Sequence, residues 1–286
     1  MKSHGPDRAD KSESAQPLVL PLVLQTELML MPPDTIVERH PGVLVIRSPR
    51  NPHYWWGNCL YFDAPPGPGD YVRWEEAFAR HIRLAQPASR HATFSWSGSD
   101  MGETAPFVAQ GYRTLASIAL SSTRVASYRF LTSEAEVRTL SGSDWDDLLE
   151  LMVAERDPQH PREAYAGYAR QRIDEWRRRA QAGLGASFGA YVDGALVSTL
   201  GLFVEPPAPT GRMRLARFQE VLTAAPQRRR GLAGTLLARA CALLAERHGP
   251  LQFVIVADAN DTAQRLYRAL GFALVEHHHG LEKGGY

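Results

Sequence analysis

The sequence predicts an α/β protein of two lobes, each a mixed β-sheet flanked by helices, and three observations carry that expectation. The run Leu251 to Val256 has the apolar character of a strand buried on both faces. Asp193-Gly194 between the runs Ala186 to Val192 and Ala195 to Glu205 marks a tight β-hairpin. The order strand, turn, helix, strand, short helix, glycine-aromatic, strand is written twice along the chain, which points to an internal duplication.

With 286 residues the chain is long for one domain and comfortable for two, each able to bury a core. A formal net charge of +1 gives no global field for nucleic acid. Cys59 and Cys241 stand far apart without metal or redox spacing, as expected of reduced thiols in a cytoplasmic protein. The apolar patch Pro17 to Leu24 follows a long polar leader and is broken by Pro21, which argues against export. No run approaches a membrane span.

Met1 to Gln16, polar and poor in large apolar groups, are expected to be a disordered leader. Val43 to Ile46 reads as a buried strand, and the aromatic loop Asn51 to Asn58 leads into another at Cys59 to Phe62. The turn Ala64 to Asp70 follows; Asp70 is placed to cap a helix from Tyr71 to Leu84, with Val72, Phe78 and Ile82 toward the core. A strand at Ala92 to Trp96, a short helix near Thr104 to Gln110 and a strand at Thr114 to Ser121 complete the first lobe, residues 17–127.

The second lobe, residues 128–286, starts within a crossover at Arg124 to Glu136 and a short strand at Val137 to Leu140. Ser143 is a candidate N-cap for a helix reaching about Glu155, and Pro161 opens a helix from Arg162 to Gln181 that Gly183 ends. Arg170, Arg172, Arg177, Arg178 and Arg179 are most simply its solvated basic face. After the hairpin come the Pro206 to Pro209 loop, a strand at Met213 to Thr223 and a helix at Leu232 to Arg247. The apolar strand, a helix at Asn260 to Leu270 and a terminal strand from Phe272 to Glu282 follow.

The junction Phe218 to Gly234 bears the chemistry. A strand stopped by Pro226 feeds Arg228-Arg229-Arg230-Gly231-Leu232-Ala233-Gly234, where small residues coincide with a helix start. Unpaired N–H groups, the helix dipole and nearby cations suit a phosphate-bearing ligand. The loop lacks both the P-loop and the three-glycine dinucleotide pattern. Arg228-x-x-Gly231-x-Ala233 instead resembles the Arg/Gln-x-x-Gly-x-Gly/Ala signature of the GCN5-related N-acetyltransferases (GNATs). Asn260-x-x-Ala263-x-x-x-Tyr267-x-x-x-Gly271-Phe272 resembles that family's second motif, in the right order.

The resemblance covers nearly all of Val137 to Lys283 and implies two acetyltransferase-like lobes with centrally splayed sheets. It implies acetyl-CoA as co-substrate, its pyrophosphate held by Arg228 to Gly234 and its arm by the backbone of Val221, Leu222 and Thr223, with a contact from Asn260. Asn260 is equally read as a helix N-cap. Tyr267 would protonate the departing thiolate, or simply pack on the core. Glu220 is the candidate base, although alternation leaves its facing open; Glu155, Asp157 and His160 are weaker candidates. His277, His278 and His279 alternate along a strand and do not form a metal set, so no metal is expected. The first lobe's turn, Pro65 to Gly69, has no arginine and few donors, and Phe107 aligns with Tyr267 and Asp100 with Asn260, so that lobe is expected to be degenerate. The expected activity is acetyl transfer to a primary amine, a small molecule or peptide, without nucleic acid or membrane. A non-catalytic acyl-CoA-binding scaffold is the alternative.

Overall fold

A computed structural model of the chain describes residues 20–126, 135–207 and 211–285. The expected leader, most of the expected crossover and the end of the proline loop lie outside these residues. The first half runs α1 (Leu22–Leu28), β1 (Ile36–His40), β2 (Val43–Arg47), β3 (Cys59–Phe62), α2 (Asp70–Phe78), β4 (His91–Ser97), α3 (Ala105–Val108) and β5 (Arg113–Ser122). The second runs β6 (Glu136–Thr139), α4 (Asp144–Ala154), α5 (Arg162–Gln181), β7 (Gly185–Val192) and β8 (Ala195–Val204). It continues through β9 (Arg214–Thr223), α6 (Leu232–His248), β10 (Leu251–Asp258), α7 (Gln264–Ala269) and β11 (Ala273–Gly284).

The eleven strands of the described residues form one mixed sheet in the order β1-β2-β3-β4-β11-β5-β10-β9-β8-β7-β6. The two expected half-sheets are therefore joined. The chain's last strand, β11, inserts between β4 and β5, pairing antiparallel with both, and β5 in turn pairs with β10. The insertion ties the C-terminus to the first half through a continuous hydrogen-bonded ladder. One large core collects Phe188, Leu200, Phe218, Leu236, Phe253 and Phe272; another collects Trp74, Phe78, Phe94, Trp96 and Phe107.

Hydrophobic spacing placed these elements well; end chemistry and tertiary contacts changed several details. Val72 is exposed, because Trp74, Phe78 and Ile82 define the buried face of their helix. That helix passes at Ala79–Arg83 into a π-helical turn. Asp70 is the first helical residue rather than the cap, and its carboxylate turns back to accept the Gly67 N–H at 2.7 Å. Ser143 likewise makes no side-chain cap; the Asp144 carboxylate accepts the Ser141 N–H at 2.8 Å instead. The basic face of α5 is not wholly solvated: Arg172 is only 2 % exposed, and its guanidinium donates to Gln219 at 2.6 Å. Arg179 is also largely covered, against Glu175.

The sheet opens near its centre. β9 and β10 pair in parallel only from Arg214/Leu251 to Arg217/Val254, although both strands continue. From Phe218 onward the flank of β9 facing β10 has no strand partner, while its other flank stays paired with β8.

Candidate functional site

Below this opening, β9 ends at Thr223 and a short 3₁₀ turn, Ala225–Gln227, leads to the arginine loop. Arg229 and Gly231 both have left-handed backbones, with φ of 64° and 78°. These two reversals fold the loop sharply, so that Gly231 is the N-cap of α6. The first helical hydrogen bond joins Thr235 N–H to Gly231 O. Helix geometry thus leaves the amides of Leu232, Ala233 and Gly234 without an intrahelical acceptor. They border a groove of about 780 Å³, lined also by Val221, Leu222, Thr223, Arg228, Arg229, Thr262 and Tyr267. Nearly every residue assigned to the co-substrate by sequence lies along this groove.

The arginines play different parts. Arg228 is turned back into the protein: its Nε donates to Thr223 O at 3.1 Å and it pairs with Glu155 at 2.5 Å. The other oxygen of Glu155 accepts the Ala225 N–H at 2.9 Å. Glu155, weighed as a base, is thus a clamp between α4 and the loop. Arg230 donates to Gln227 within the loop, and Arg229 lines the groove.

Asn260 departs from expectation. The helix it was to head begins only at Gln264, with Ala263 as cap. Asn260 lies in the preceding turn, exposed, with its N–H held by Asp258 at 2.7 Å. Asp258 and Asp261 both accept local amides here, and these turns delay the helix.

Tyr267 lies on the short helix α7, facing the groove and 5 % exposed. Burial, with a smaller contribution from Asp261, pushes its pKa up to about 12. At neutral pH it is a protonated phenol that can donate. Glu220 occupies the other side of β9. Between the pairs Thr199/Leu222 and Gly201/Gln219 the register slips, so that Glu220 and Val221 form a β-bulge. Glu220 adopts φ 44° there, a conformation costly for a side-chain-bearing residue. The bulge aims its carboxylate into a chamber of about 240 Å³ with Tyr54, Trp55, His160, Tyr165 and Tyr168. Desolvation there raises the Glu220 pKa; Arg172 opposes this and Glu27 adds to it.

The chamber meets a second one of about 350 Å³ at Trp56, His160 and Glu282, residues shared by both. Here strand exchange matters. The aromatic loop comes from the first half, His160 and the tyrosines from the second, and Glu282 from β11. Of the weaker base candidates, Asp157 is committed to the Gln159 N–H at 3.0 Å and to Arg113 at 3.1 Å. The first of these contacts, helped by the second, lowers its pKa. His160 stands at the junction of the chambers with a pKa lowered by burial, hence a neutral imidazole. His278 lines the second chamber, burial holding its pKa down to about 3. His279 packs beside Trp96, and His277 is exposed. Among the described residues no group of His, Cys, Asp or Glu is arranged to hold a metal ion.

Of the chamber walls the sequence singled out Glu220, His160 and the aromatic loop, but not their meeting with Tyr165 and Tyr168. The Tyr54-Trp55-Trp56 run and the i, i+3 pair Tyr165/Tyr168 were visible signals, since three residues apart share a helix face. Glu27, half-buried against Arg217 and Tyr54, carried none.

Residues 145–272 match the model of the acetyltransferase (GNAT) family. A functionally unknown conserved protein from Staphylococcus epidermidis has a similar structure, with TM-score 0.66 and 14 % identity over 88 % of this chain and 95 % of that one. A GCN5-related N-acetyltransferase from Kribbella flavida gives TM-score 0.60 and 13 % identity, covering 92 % and 93 %. One from Sphaerobacter thermophilus gives 0.52 and 17 %, covering 85 % and 76 %. No curated protein sequence matches the chain. At these identities the structural likeness establishes the fold, a mixed α/β sheet extending over most of the chain.

Proposed function

We propose that this chain, which carries an acetyltransferase (GNAT) family domain over residues 145–272, moves an acetyl group from acetyl-CoA directly to a primary amine. The carrying observation is the position of β9 between two compartments: the groove with Tyr267 on one side, the chamber with Glu220 on the other. The pyrophosphate sits against the amides of Gly231 to Gly234, and the pantetheine arm lies along Val221 to Thr223, where β9 has left β10. Arg228 holds the loop in shape through Glu155. Asn260 in its turn is at most an edge contact.

The acceptor arrives as an ammonium ion and gives one proton to Glu220, directly or through a water, and thence to solvent. Its nitrogen attacks the thioester carbonyl; a C–N bond forms and the C–S bond breaks. The sulfur takes a proton from Tyr267, and the proton that the new amide nitrogen sheds restores the phenol. The net change is ammonium plus thioester to amide, thiol and one proton. A raised pKa suits Glu220 to act as base near neutrality. Burial that disfavours a phenolate equally disfavours a free thiolate, which favours proton delivery to sulfur.

The same reading treats residues 17–127 as a degenerate lobe that shapes the acceptor site and 128–286 as the catalytic unit, in a cytoplasmic protein. Among the described residues no helix is long and apolar enough to cross a membrane. Calorimetry with acetyl-CoA, together with thiol release over an amine panel, tests the proposal. Binding at micromolar concentration with turnover is expected. Tight binding with no turnover on any amine would leave a binding protein instead.

A further inference from the structure

The chamber at Glu220 is walled mainly by aromatic rings. Trp55 meets His160 edge-on at 4.7 Å, His160 lies 6.0 Å from Tyr165, and Tyr165 and Tyr168 stand 5.4 Å apart. Tyr168 lies 5.4 Å from Tyr54, which continues the aromatic series. Among the described residues no arginine or lysine lines this chamber. Arg172, the cation that acts on Glu220, stacks on the Tyr54 ring at 4.6 Å and bonds to Gln219. Glu282, the other carboxylate in the lining, is already paired with Arg113 and accepts from Gln159. The Glu220 carboxylate makes no side-chain hydrogen bond or ion pair among the described residues. Electron-rich ring faces around an unpaired carboxylate attract an organic cation.

Beyond Trp56 the second chamber is walled by Leu24, Met31, Ile46, Leu115 and Val256. Its two arginines are already engaged, Arg217 by Thr26 at 2.9 Å and by Glu27 at 3.4 Å, and Arg113 by Asp157 at 3.1 Å and by Glu282. Among the described residues the cavity therefore offers an apolar stretch with no arginine free to take a carboxylate, and Glu27, Asp258 and Glu282 add acidic groups to its lining.

We propose that the two chambers are one acceptor site for a hydrophobic organic amine without a carboxylate, its ammonium between Glu220 and the aromatic ring faces and its apolar body past Trp56. This inference rests on the acetyl-transfer reading and narrows the acceptor to arylalkyl- or alkylamines, away from amino acids and peptide termini bearing a nearby acid. The first half of the chain, through its aromatic loop, then sets acceptor choice without touching the co-substrate.

The full chain should bind benzyltrimethylammonium, which cannot be acetylated, in calorimetry with coenzyme A present. Phenethylamine should be turned over with a higher kcat/KM than ethylamine, which lacks the body, or phenylalanine, which adds the acid. Tyr165→Leu keeps bulk and removes a ring face; it should weaken benzyltrimethylammonium about 3- to 30-fold while acetyl-CoA affinity is unchanged. Trp56→Ala should erase the preference for phenethylamine over ethylamine. Turnover without benzyltrimethylammonium binding, or with phenylalanine preferred, would overturn this inference and leave acetyl transfer standing. Absence of thiol release with every amine, the cation still bound, would overturn acetyl transfer and the acceptor assignment together.

Discussion

The two halves of the molecule each start a helix from a left-handed glycine, Gly69 at φ 79° and Gly231 at φ 78°, yet the spaces beside them differ. Beside Gly231 lies an open groove bordered by amides and by Thr262 and Ala263 of the segment before α7. Beside Gly69 the corresponding segment is pressed against the turn. Glu103 N–H donates to Pro66 O at 2.7 Å, and a Cβ at Gly102 would lie 2.4 Å from that oxygen. The first turn also supplies its own anion, since the Asp70 carboxylate takes the Gly67 N–H. Leu232 holds the equivalent first helical position in the second half. A helix start is thus an anion site only when its amides are left open and no internal carboxylate has claimed the turn.

The sharpest test of that contrast lies at the aligned aromatics. Tyr267→Phe should lower kcat about 100-fold with acetyl-CoA affinity largely retained, read by steady-state kinetics and calorimetry. Phe107, fully buried amid Phe94, Trp74 and Tyr112, should not acquire a role on changing to Tyr; a buried hydroxyl there should destabilise by about 1–3 kcal/mol in urea unfolding. A strong loss of co-substrate binding in Tyr267→Phe would make the phenol structural.

Next in size is the glycine pair. Replacing either by Ala forces a left-handed backbone on a residue that resists it, at about 1–2 kcal/mol each. Only Gly231→Ala should also weaken acetyl-CoA, roughly 10-fold, because a methyl group would stand where the backbone approaches a phosphate. Equal loss in Gly69→Ala would place the diphosphate in the first turn and end the distinction.

The loop clamp should matter less. Glu155→Gln weakens the bond to Arg228 and should raise the KM for acetyl-CoA about 3-fold, with kcat and its pH profile unchanged. Loss of kcat with a shifted profile would restore Glu155 as a base.

The smallest effect concerns Glu220, whose pKa is raised by desolvation. A group with a raised folded-state pKa adds stability that is complete below its unfolded pKa and lost as pH rises through the folded value. The ionised carboxylate thus destabilises the fold near neutrality. Glu220→Gln should raise Tm by about 1–3 °C at pH 7 and show no such gain at pH 4, while turnover falls. The acid limb of the wild-type rate profile should lie above the ordinary glutamate range. An unchanged Tm at both pH values would contradict the desolvated carboxylate.

Much of the architecture was legible because hydrophobic periodicity is a local property. Val43 to Ile46, the Asp193-Gly194 hairpin and the long helices fell where side-chain spacing required, and the groove residues fell in two short runs, Val221 to Gly234 and Asp261 to Tyr267. Details that competed with periodicity were less readable. The helix after β10 shortened because Asp258 and Asp261 draw local amides, and Arg172 became buried because Gln219 and the Tyr54 ring meet it from distant segments.

The sequence by itself determined the loop with open amides before α6, since a strand, small residues and a helix start in one short run need no distant partner to leave amides open. Only the tertiary structure decided which way Glu220 faces and what surrounds it. A bulge breaks the alternation on which facing could be read, and the chamber walls come from both halves, brought together by β11 crossing between β4 and β5. Long-range strand pairing, unlike periodicity, leaves no mark on the residues that later become neighbours.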